Sequence, residues 1–259
     1  MNISIITATY NSYPAINDCI NSIAHQSLKP EHLIIDGQSK DETLTTIKNS
    51  PSVSQYISEP DKGIYDALNK GIQRAKGDVI GFLHSDDVLA DDEVISDISK
   101  IFDENSAIDG VYGDLVFVKA NDTNKIARYW KSTPFKHNNI KYAWMPPHPT
   151  LFLRREVYEK HGLFDTSFKC AGDYDFMLRI MQDKDIELVY LPKVITRMRV
   201  GGASTGSIKG ILIKSKEDIR ALRNRGFKFP YLIVLIKNLR KLPQLLIRPK
   251  PLSTIGADL

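Results

Sequence analysis

Strand and helix signals alternate through the first hundred residues, and that alternation limits the fold more than any other feature of this 259-residue chain. Ile3–Thr9 (ISIITAT) reads as a strand and Pro14–Gln26 carries helical apolar spacing. His32–Asp36 (HLIID) is a second strand, followed by a helix from about Asp41. Val53–Ser58 gives a third strand, Gly63–Ala75 a helix with Gly77 placed to stop it, and Val79–Leu83 (VIGFL) a fourth strand with a short, buried look. The expected fold class is α/β, a mostly parallel sheet flanked by helices. Ligands of such sheets bind outside the carboxyl ends of the strands.

That rule selects Thr7–Tyr10 after the first strand, Asp36 after the second, Glu59–Asp61 after the third and Asp86–Asp87 after the fourth. Taken alone, the Asp86–Asp87 pair reads equally as a ligand site or as the cap of the helix begun in "DDVLADDEVISDISKIF". Two adjacent acids leaving a buried strand repel each other unless a cation or sugar hydroxyls occupy the place. Three of the four strand ends carry carboxylates, and that company favours the site.

The loop "TATYNSYP" after the first strand holds no glycine, which argues against a dinucleotide fold, and a Walker loop is absent. What remains is a nucleotide whose diphosphate is neutralised mainly by a divalent metal. Carboxylates without a thiol or histidine cluster suit Mg²⁺ or Mn²⁺.

Composition narrows the setting. At 42% hydrophobic and 25% charged residues the chain is globular, large enough for one substantial core or a core with an appendage. No apolar stretch reaches the length of a transmembrane helix, and the N-terminus enters a strand without a basic leader region. Two cysteines, Cys19 and Cys170, are too few for a disulfide scaffold or zinc site and suit a reducing cytoplasm. Cys19 is expected in the core. Between Ser207 and Pro251 twelve Lys and Arg face only Glu217 and Asp218, a local +10 that leaves the remainder of the +4 chain at −6. A mildly acidic body and a basic tail suggest different jobs.

Beyond residue 108, Asp109–Lys119 and Ile126–Lys131 read as strands, with Trp130, Tyr142 and Trp144 nearby. Aromatics and prolines around His148 fit either a core loop or a stacking platform for a sugar ring. The helix after Gly172 buries Phe176, Met177, Ile180 and Met181 and carries Asp173 and Asp175 in its first turn, where an acid is a usual partner of the helix dipole.

In order and spacing, four motifs resemble the family 2 inverting glycosyltransferases with the GT-A fold. They are "SIITATYNS", "IIDGQSKDET", "SEPDKGIYDALNKG…GDVIGFLHSDD" and "HPTLFLRREVYEKHGLFD" leading to "GDYDFMLRI". The likeness covers roughly residues 2–205, and "EPDKGIYDALNKG" looks most like bacterial enzymes that build O-antigen, capsule or colanic-acid units on a lipid carrier. The resemblance implies a catalytic domain over 1–205, with residues 1–110 binding the nucleotide-sugar and 111–205 the acceptor. It implies that Thr7, Thr9 and Tyr10 line a uracil pocket, that Asp36 accepts from the base, and that Asp61 and Asn69 lie near the nucleotide. Asp86 would contact ribose or metal, Asp87 would coordinate Mn²⁺ or Mg²⁺, and Asp173 would be the catalytic base. His148 and Trp144 are expected at the acceptor, and Asp175 serves the helix or the acceptor. A base and a metal-held leaving group give a single displacement that inverts the anomeric centre.

Two positions depart from the family pattern. Many relatives carry an acid at His84 and an Arg at Leu68, so the metal is left to Asp86 and Asp87 and the diphosphate loses a cation that Arg197, Arg199 or Lys209 would have to replace. The implied partners are a UDP-sugar (galactose or glucose favoured), an undecaprenyl-diphosphate-linked sugar acceptor and an anionic membrane surface, with no nucleic acid. The implied location is the cytoplasmic side, peripheral on the inner face of a bacterial inner membrane. A sugar-1-phosphate nucleotidyltransferase would show a Gly-rich basic loop after the first strand; a non-catalytic nucleotide-sugar scaffold would not need Asp86, Asp87 and Asp173 together.

The region 206–259 has its own pattern. Lys209–Arg225 reads as a basic helix, and "FPYLIVLIKNLRKLPQLLIRPKP" interleaves Leu, Ile and Val with Lys and Arg. Too short to span a bilayer, it suits lying on one; the alternative is a helix packed on the catalytic domain with a solvated basic face.

Overall fold

The computed structural model describes residues 1–201 and 208–240, without the side chains of 208, 209 and 211. Its amino-terminal half alternates as the sequence predicts: β1 (Ile3–Thr9), α1 (Ala15–Ala24), β2 (Glu31–Asp36), α2 (Thr43–Lys48), β3 (Gln55–Ser58), α3 (Ile64–Arg74) and β4 (Val79–Phe82). After them come β5 (Val88–Leu89), α4 (Val94–Glu104), the hairpin β6 (Gly110–Lys119) and β7 (Asp122–Trp130), then β8 (Phe152–Arg154), α5 (Arg155–His161), α6 (Gly172–Met181) and β9 (Leu188–Arg199). Two helices close the described chain, α7 (Ile208–Asn224) and α8 (Pro230–Leu239).

One sheet runs in the order β3-β2-β1-β4-β8-β6-β9-β5, with β7 paired to β6. β3, β2, β1 and β4 are parallel. The other half is mixed, because β8 runs antiparallel to both β4 and β6 while β6 and β9 are parallel. β1 shows why the sheet needs cover on both sides. Ile6 and Ala8 face one cluster with Leu68 and Ile72 of α3; Ile3 and Ile5 face another with Cys19 of α1 and Ile95 of α4. Alternate side chains of a strand point to opposite faces, and here both faces are dry.

Cys19 is in the core as expected, and Leu68 is core too, so that position offers nothing to a diphosphate. The expected division at 205 does not coincide with a break in packing. Ala221 and Leu222 of α7 and Ile233 and Val234 of α8 belong to the same core cluster as Phe176 and Met177 of α6. The turn "GGAST" falls largely, and residues 241–259 wholly, outside the described residues, as does the Lys209 side chain. Among the described residues no helix is long and apolar enough to cross a membrane.

Candidate active site

The carboxyl ends of the parallel strands are level. Thr9 is paired with Asp36, and Asp36 with Ser58, across β1, β2 and β3. The loops beyond them are tied together: Asn11 N–H donates to Ser39 Oγ at 2.8 Å, Lys40 N–H to Asn11 Oδ1 at 2.8 Å, and the Ser12 and Ser85 hydroxyls share a 2.8 Å hydrogen bond. Gly37 allows Asp61 to join them, since a Cβ at Gly37 would stand 2.5 Å from Asp61 Oδ2. Asp61 in turn accepts from Gly63 N–H at 2.8 Å at the start of α3.

Tyr10 lies exposed above this rim, while Thr9 Oγ1 is buried without a hydrogen-bond partner. Thr7 is placed differently from the expectation. Its hydroxyl points into the core, 3.1 Å from His32 Nε2 and 3.8 Å from Cys19 Sγ, so it supports the strand and not a base pocket. Asp36 is fully buried and its carboxylate accepts from Ser39 N–H, Ser39 Oγ and Ser58 Oγ. That bonding shapes the loop around the site. Asn69 is a clamp: its amide donates to Phe164 O at 2.9 Å and accepts from Phe164 N–H at 3.0 Å, tying α3 to the loop after α5.

Asp86 and Asp87 occupy a turn between β4 and β5, closed by a 3.0 Å bond from Asp87 N–H to His84 O. Their reading as a helix cap fails, because α4 begins only at Val94. Asp87 is 1% exposed; one oxygen accepts from Arg199 N–H at 3.1 Å and the other, Oδ2, is buried without a partner. Burial first, and the neighbouring Asp86 charge second, push its carboxyl well above the usual range. A cation relieves both penalties. Among the described residues no three His, Cys, Asp or Glu side chains gather into a metal cage. Two carboxylates that need substrate phosphate oxygens to complete the shell fit Mg²⁺-like chemistry.

Arg199 braces this turn. It donates to Asp86 O at 2.5 Å, to Ala120 O at 3.0 Å and to Asp18. Arg197 is held elsewhere, by Asn124 and Ala90 O.

Asp173 stands in the first turn of α6, half-buried, with the Tyr65 hydroxyl donating to its Oδ1 at 3.1 Å. Gly172 makes the contact possible, since a Cβ there would meet the Tyr65 ring at 2.8 Å. Burial and the Asp173 charge push the Tyr65 phenol up, so it stays a donor. Burial works to raise the Asp173 carboxyl, but the charges facing it prevail and hold it below the usual range: His148, then Lys214 of α7 and Lys237 of α8. Burial pushes His148 itself down to about 4. His84 joins the two groups of acids. Its ring is 6.0 Å from the His148 ring, and the Asp86 and Asp173 charges both oppose the burial that lowers its pKa.

Around Asp173, His148 stacks on Phe82 at 5.7 Å and meets Phe164 edge-on at 6.2 Å. Trp144 is not there. It is 8% exposed, donates to Thr133 Oγ1 at 2.9 Å and packs edge-on against Tyr112, so it belongs to the core under β6. Asp175 is also withdrawn from any acceptor: 1% exposed, it takes two hydrogen bonds from Arg225 at 2.8 and 3.1 Å and lies 3.6 Å from Arg179.

Three groups lay outside the sequence reading. Tyr65 sits inside a motif already singled out, and its aromatic ring one turn before Asn69 was an available signal. Glu217 of α7 accepts from three successive backbone N–H groups, Lys169, Cys170 and Ala171, at 2.7–3.1 Å, and so holds the segment that leads into α6. Lys237 is buried on the Tyr174 ring, 3.4 Å from its centroid, and paired with Asp218 at 3.0 Å. Nothing local in the sequence marks these last two.

A family model described as "Glycosyl transferase family 2" matches residues 4–162, well over half of the chain. The chain belongs to glycosyl transferase family 2. The transferase is 28% identical over 262 residues to a "PGL/p-HBAD biosynthesis glycosyltransferase" of Mycobacterium bovis, covering 97% of this chain and 95% of that one. Its fold matches S. aureus TarS at a TM-score of 0.66 and 20% identity, over 93% of this chain and 44% of TarS; the TarS 1–349 piece has been solved in complex with UDP-GlcNAc. It also matches a mannosyltransferase, PcManGT from Pyrobaculum calidifontis, in complex with GDP-Man and Mn²⁺, at a TM-score of 0.64 and 14% identity over 99% of this chain and 79% of that one. The transferase thus has the GT-A fold.

Proposed function

We propose that this transferase moves a hexose, galactose or glucose, from a UDP-sugar to a hydroxyl of an undecaprenyl-diphosphate-linked sugar during assembly of a bacterial surface polysaccharide, with inversion at the anomeric carbon. It would work peripherally on the inner face of the inner membrane. The observation that carries the chemistry is Asp173. It is an ionised, half-buried carboxylate at a helix start, oriented by Tyr65 and joined through His84 and His148 to the acids at the end of β4.

Thr9, Tyr10 and Asp61 line the rim that would take the nucleoside, with Asp36 shaping its floor. Asp87 through its unpartnered oxygen, together with Asp86, would hold Mg²⁺ or Mn²⁺. When bound, that ion supplies the charge that stabilises a leaving diphosphate. Asp173 takes the proton of the attacking hydroxyl. Tyr65 donates to one Asp173 oxygen and leaves the other for the acceptor. The charges facing it, His148 first and then Lys214 and Lys237, favour the carboxylate form. A single displacement with one base needs no second carboxylate as covalent nucleophile, which is why inversion is expected.

A screen of UDP- and GDP-sugars against a synthetic lipid-diphosphate sugar, reading product mass and anomeric configuration, tests this reading. A UDP-hexose should give one inverted product. Synthesis of a UDP-sugar from UTP and a sugar-1-phosphate would replace the reading with nucleotidyl transfer, and donor binding without turnover would replace it with a scaffold.

A further inference from the structure

Helix α8 is apolar on both sides. Its inner side, Pro230, Ile233, Val234 and Lys237, is buried against the catalytic core. Its outer side carries Tyr231, Leu232, Leu235 and Leu239, continuous with Phe229 just before it, each between 51% and 67% exposed. Residues spaced by three and four along a helix form one strip. A soluble helix normally turns charge to water there, and a contiguous exposed apolar strip marks a surface that is covered in use.

The rim of that strip is of one sign. Arg223 and Lys228 border it, with Arg223 donating to the Tyr231 hydroxyl at 2.6 Å. Between 208 and 240 nine Lys and Arg face two acids, and both acids are spent inward: Glu217 on the backbone before α6 and Asp218 on Lys237. A shallow groove of about 470 Å³ between the end of α7 and the start of α8 is lined by Arg223, Lys228, Phe229, Tyr231 and Leu232, which puts cations and aromatic rings at one level. The sequence beyond continues the composition, with Leu245, Leu246 and Ile247 among Lys241, Arg248 and Lys250.

We propose that this outer face of α8 docks on an anionic lipid bilayer, with Leu232, Leu235 and Leu239 entering the acyl boundary and Arg223 and Lys228 meeting lipid phosphates. A single-helix strip of Leu with Tyr and Phe at a cationic border matches an interfacial helix. The cationic border selects an anionic surface over a neutral apolar partner. The placement also serves the transfer reading, on which this one point rests: the opposite side of α8 puts Lys237 against Tyr174, the neighbour of Asp173. One helix diameter, about 10–12 Å, therefore separates the bilayer face from the base's own turn.

The test is flotation of the full-length chain with vesicles of phosphatidylcholine plus phosphatidylglycerol, and with phosphatidylcholine alone, in the absence of donor and acceptor. It is therefore independent of whether transfer occurs. The protein should float with the anionic vesicles only, and less as salt rises. Leu232→Glu with Leu235→Glu should weaken binding at least ~10-fold, and Lys228→Glu should weaken it less. Both leucines are exposed, so the fold should survive, as checked by near-UV circular dichroism. If the charged pair misfolds, Leu232→Gln with Leu235→Gln removes the same apolar surface without adding charge. Three results would overturn the proposal: no flotation of the wild type, equal flotation of the leucine variants, or a dimer that those substitutions dissolve, which would mean that a second copy covers the face.

Discussion

The Glu217 carboxylate lies 3.0 Å from the backbone nitrogen of Ala171, two residues before Asp173. It also accepts from Cys170 N–H at 2.7 Å and Lys169 N–H at 2.9 Å, so one side chain of α7 fixes three consecutive peptide groups. Charge-assisted bonds to backbone N–H are the strong kind. Their loss frees the segment that leads to Asp173, the proposed base. Glu217→Ala should lower kcat by ~10–100-fold, the scale of misplacing a reacting group by about 1 Å, while donor KM changes little. Glu217→Gln keeps an acceptor oxygen and should recover part of the rate. Steady-state kinetics of the three proteins decide it; a loss of thermal stability with kcat untouched would show that the segment holds Asp173 unaided.

Asp175 gives a different outcome from its neighbour two residues earlier. Asp175→Asn leaves Arg225 and Arg179 partly buried without their counter-charge, at a cost of about 3 kcal/mol. For a chain of this size the melting temperature should fall by roughly 6–12 °C. Acceptor KM should stay within about twofold in what remains folded, since a carboxylate 1% exposed reaches no acceptor. A raised acceptor KM at unchanged melting temperature would return Asp175 to the acceptor site.

Buried histidine makes stability fall as the pH drops. Burial pushes His32, which is fully enclosed beside Thr7, down to about 3 from 6.5. Above pH 6.5 both folded and unfolded chains hold it neutral, and it adds no pH dependence. Between 6.5 and about 3 the unfolded chain takes up a proton that the folded chain refuses. Stability therefore falls with falling pH, by about 1.4 kcal/mol per pH unit for one such group. His148, pushed down to about 4, acts in the same sense. His32→Gln should flatten the slope of unfolding free energy against pH below 6.5, as measured by urea titrations. An unchanged slope would mean that folded His32 takes the proton freely.

The amino-terminal half was legible because its signals are local. An apolar run with a helix on either side reads as a buried parallel strand, and the rule about carboxyl ends then collected Thr7–Tyr10, Asp36, Glu59–Asp61 and Asp86–Asp87 without any contact information. Residue type did not reveal direction along the strand. Thr7 and Thr9 look alike in "TAT", and only packing shows both hydroxyls enclosed, with Thr7 spent on His32 and Thr9 unspent. Trp144 and Asp175 resembled site residues because aromatics and acids are used in both places; burial sent them to the core. The short strands β5 and β8 escaped notice since two or three residues carry no period. The basic tail was read for its charge, and its inward contacts, Glu217 on the 169–171 backbone and Lys237 on Tyr174, depend on partners dozens of residues away.

The central claim is that Asp173 is the base of an inverting transfer. Asp173→Asn should bind UDP as the wild type does, by calorimetry in the presence of Mn²⁺. Its rate of hexose transfer to the lipid-diphosphate acceptor should fall ~10²–10⁴-fold, and the small amount of product should have inverted configuration by NMR. Near-normal turnover in Asp173→Asn, or a product that keeps the donor's configuration, would contradict the account.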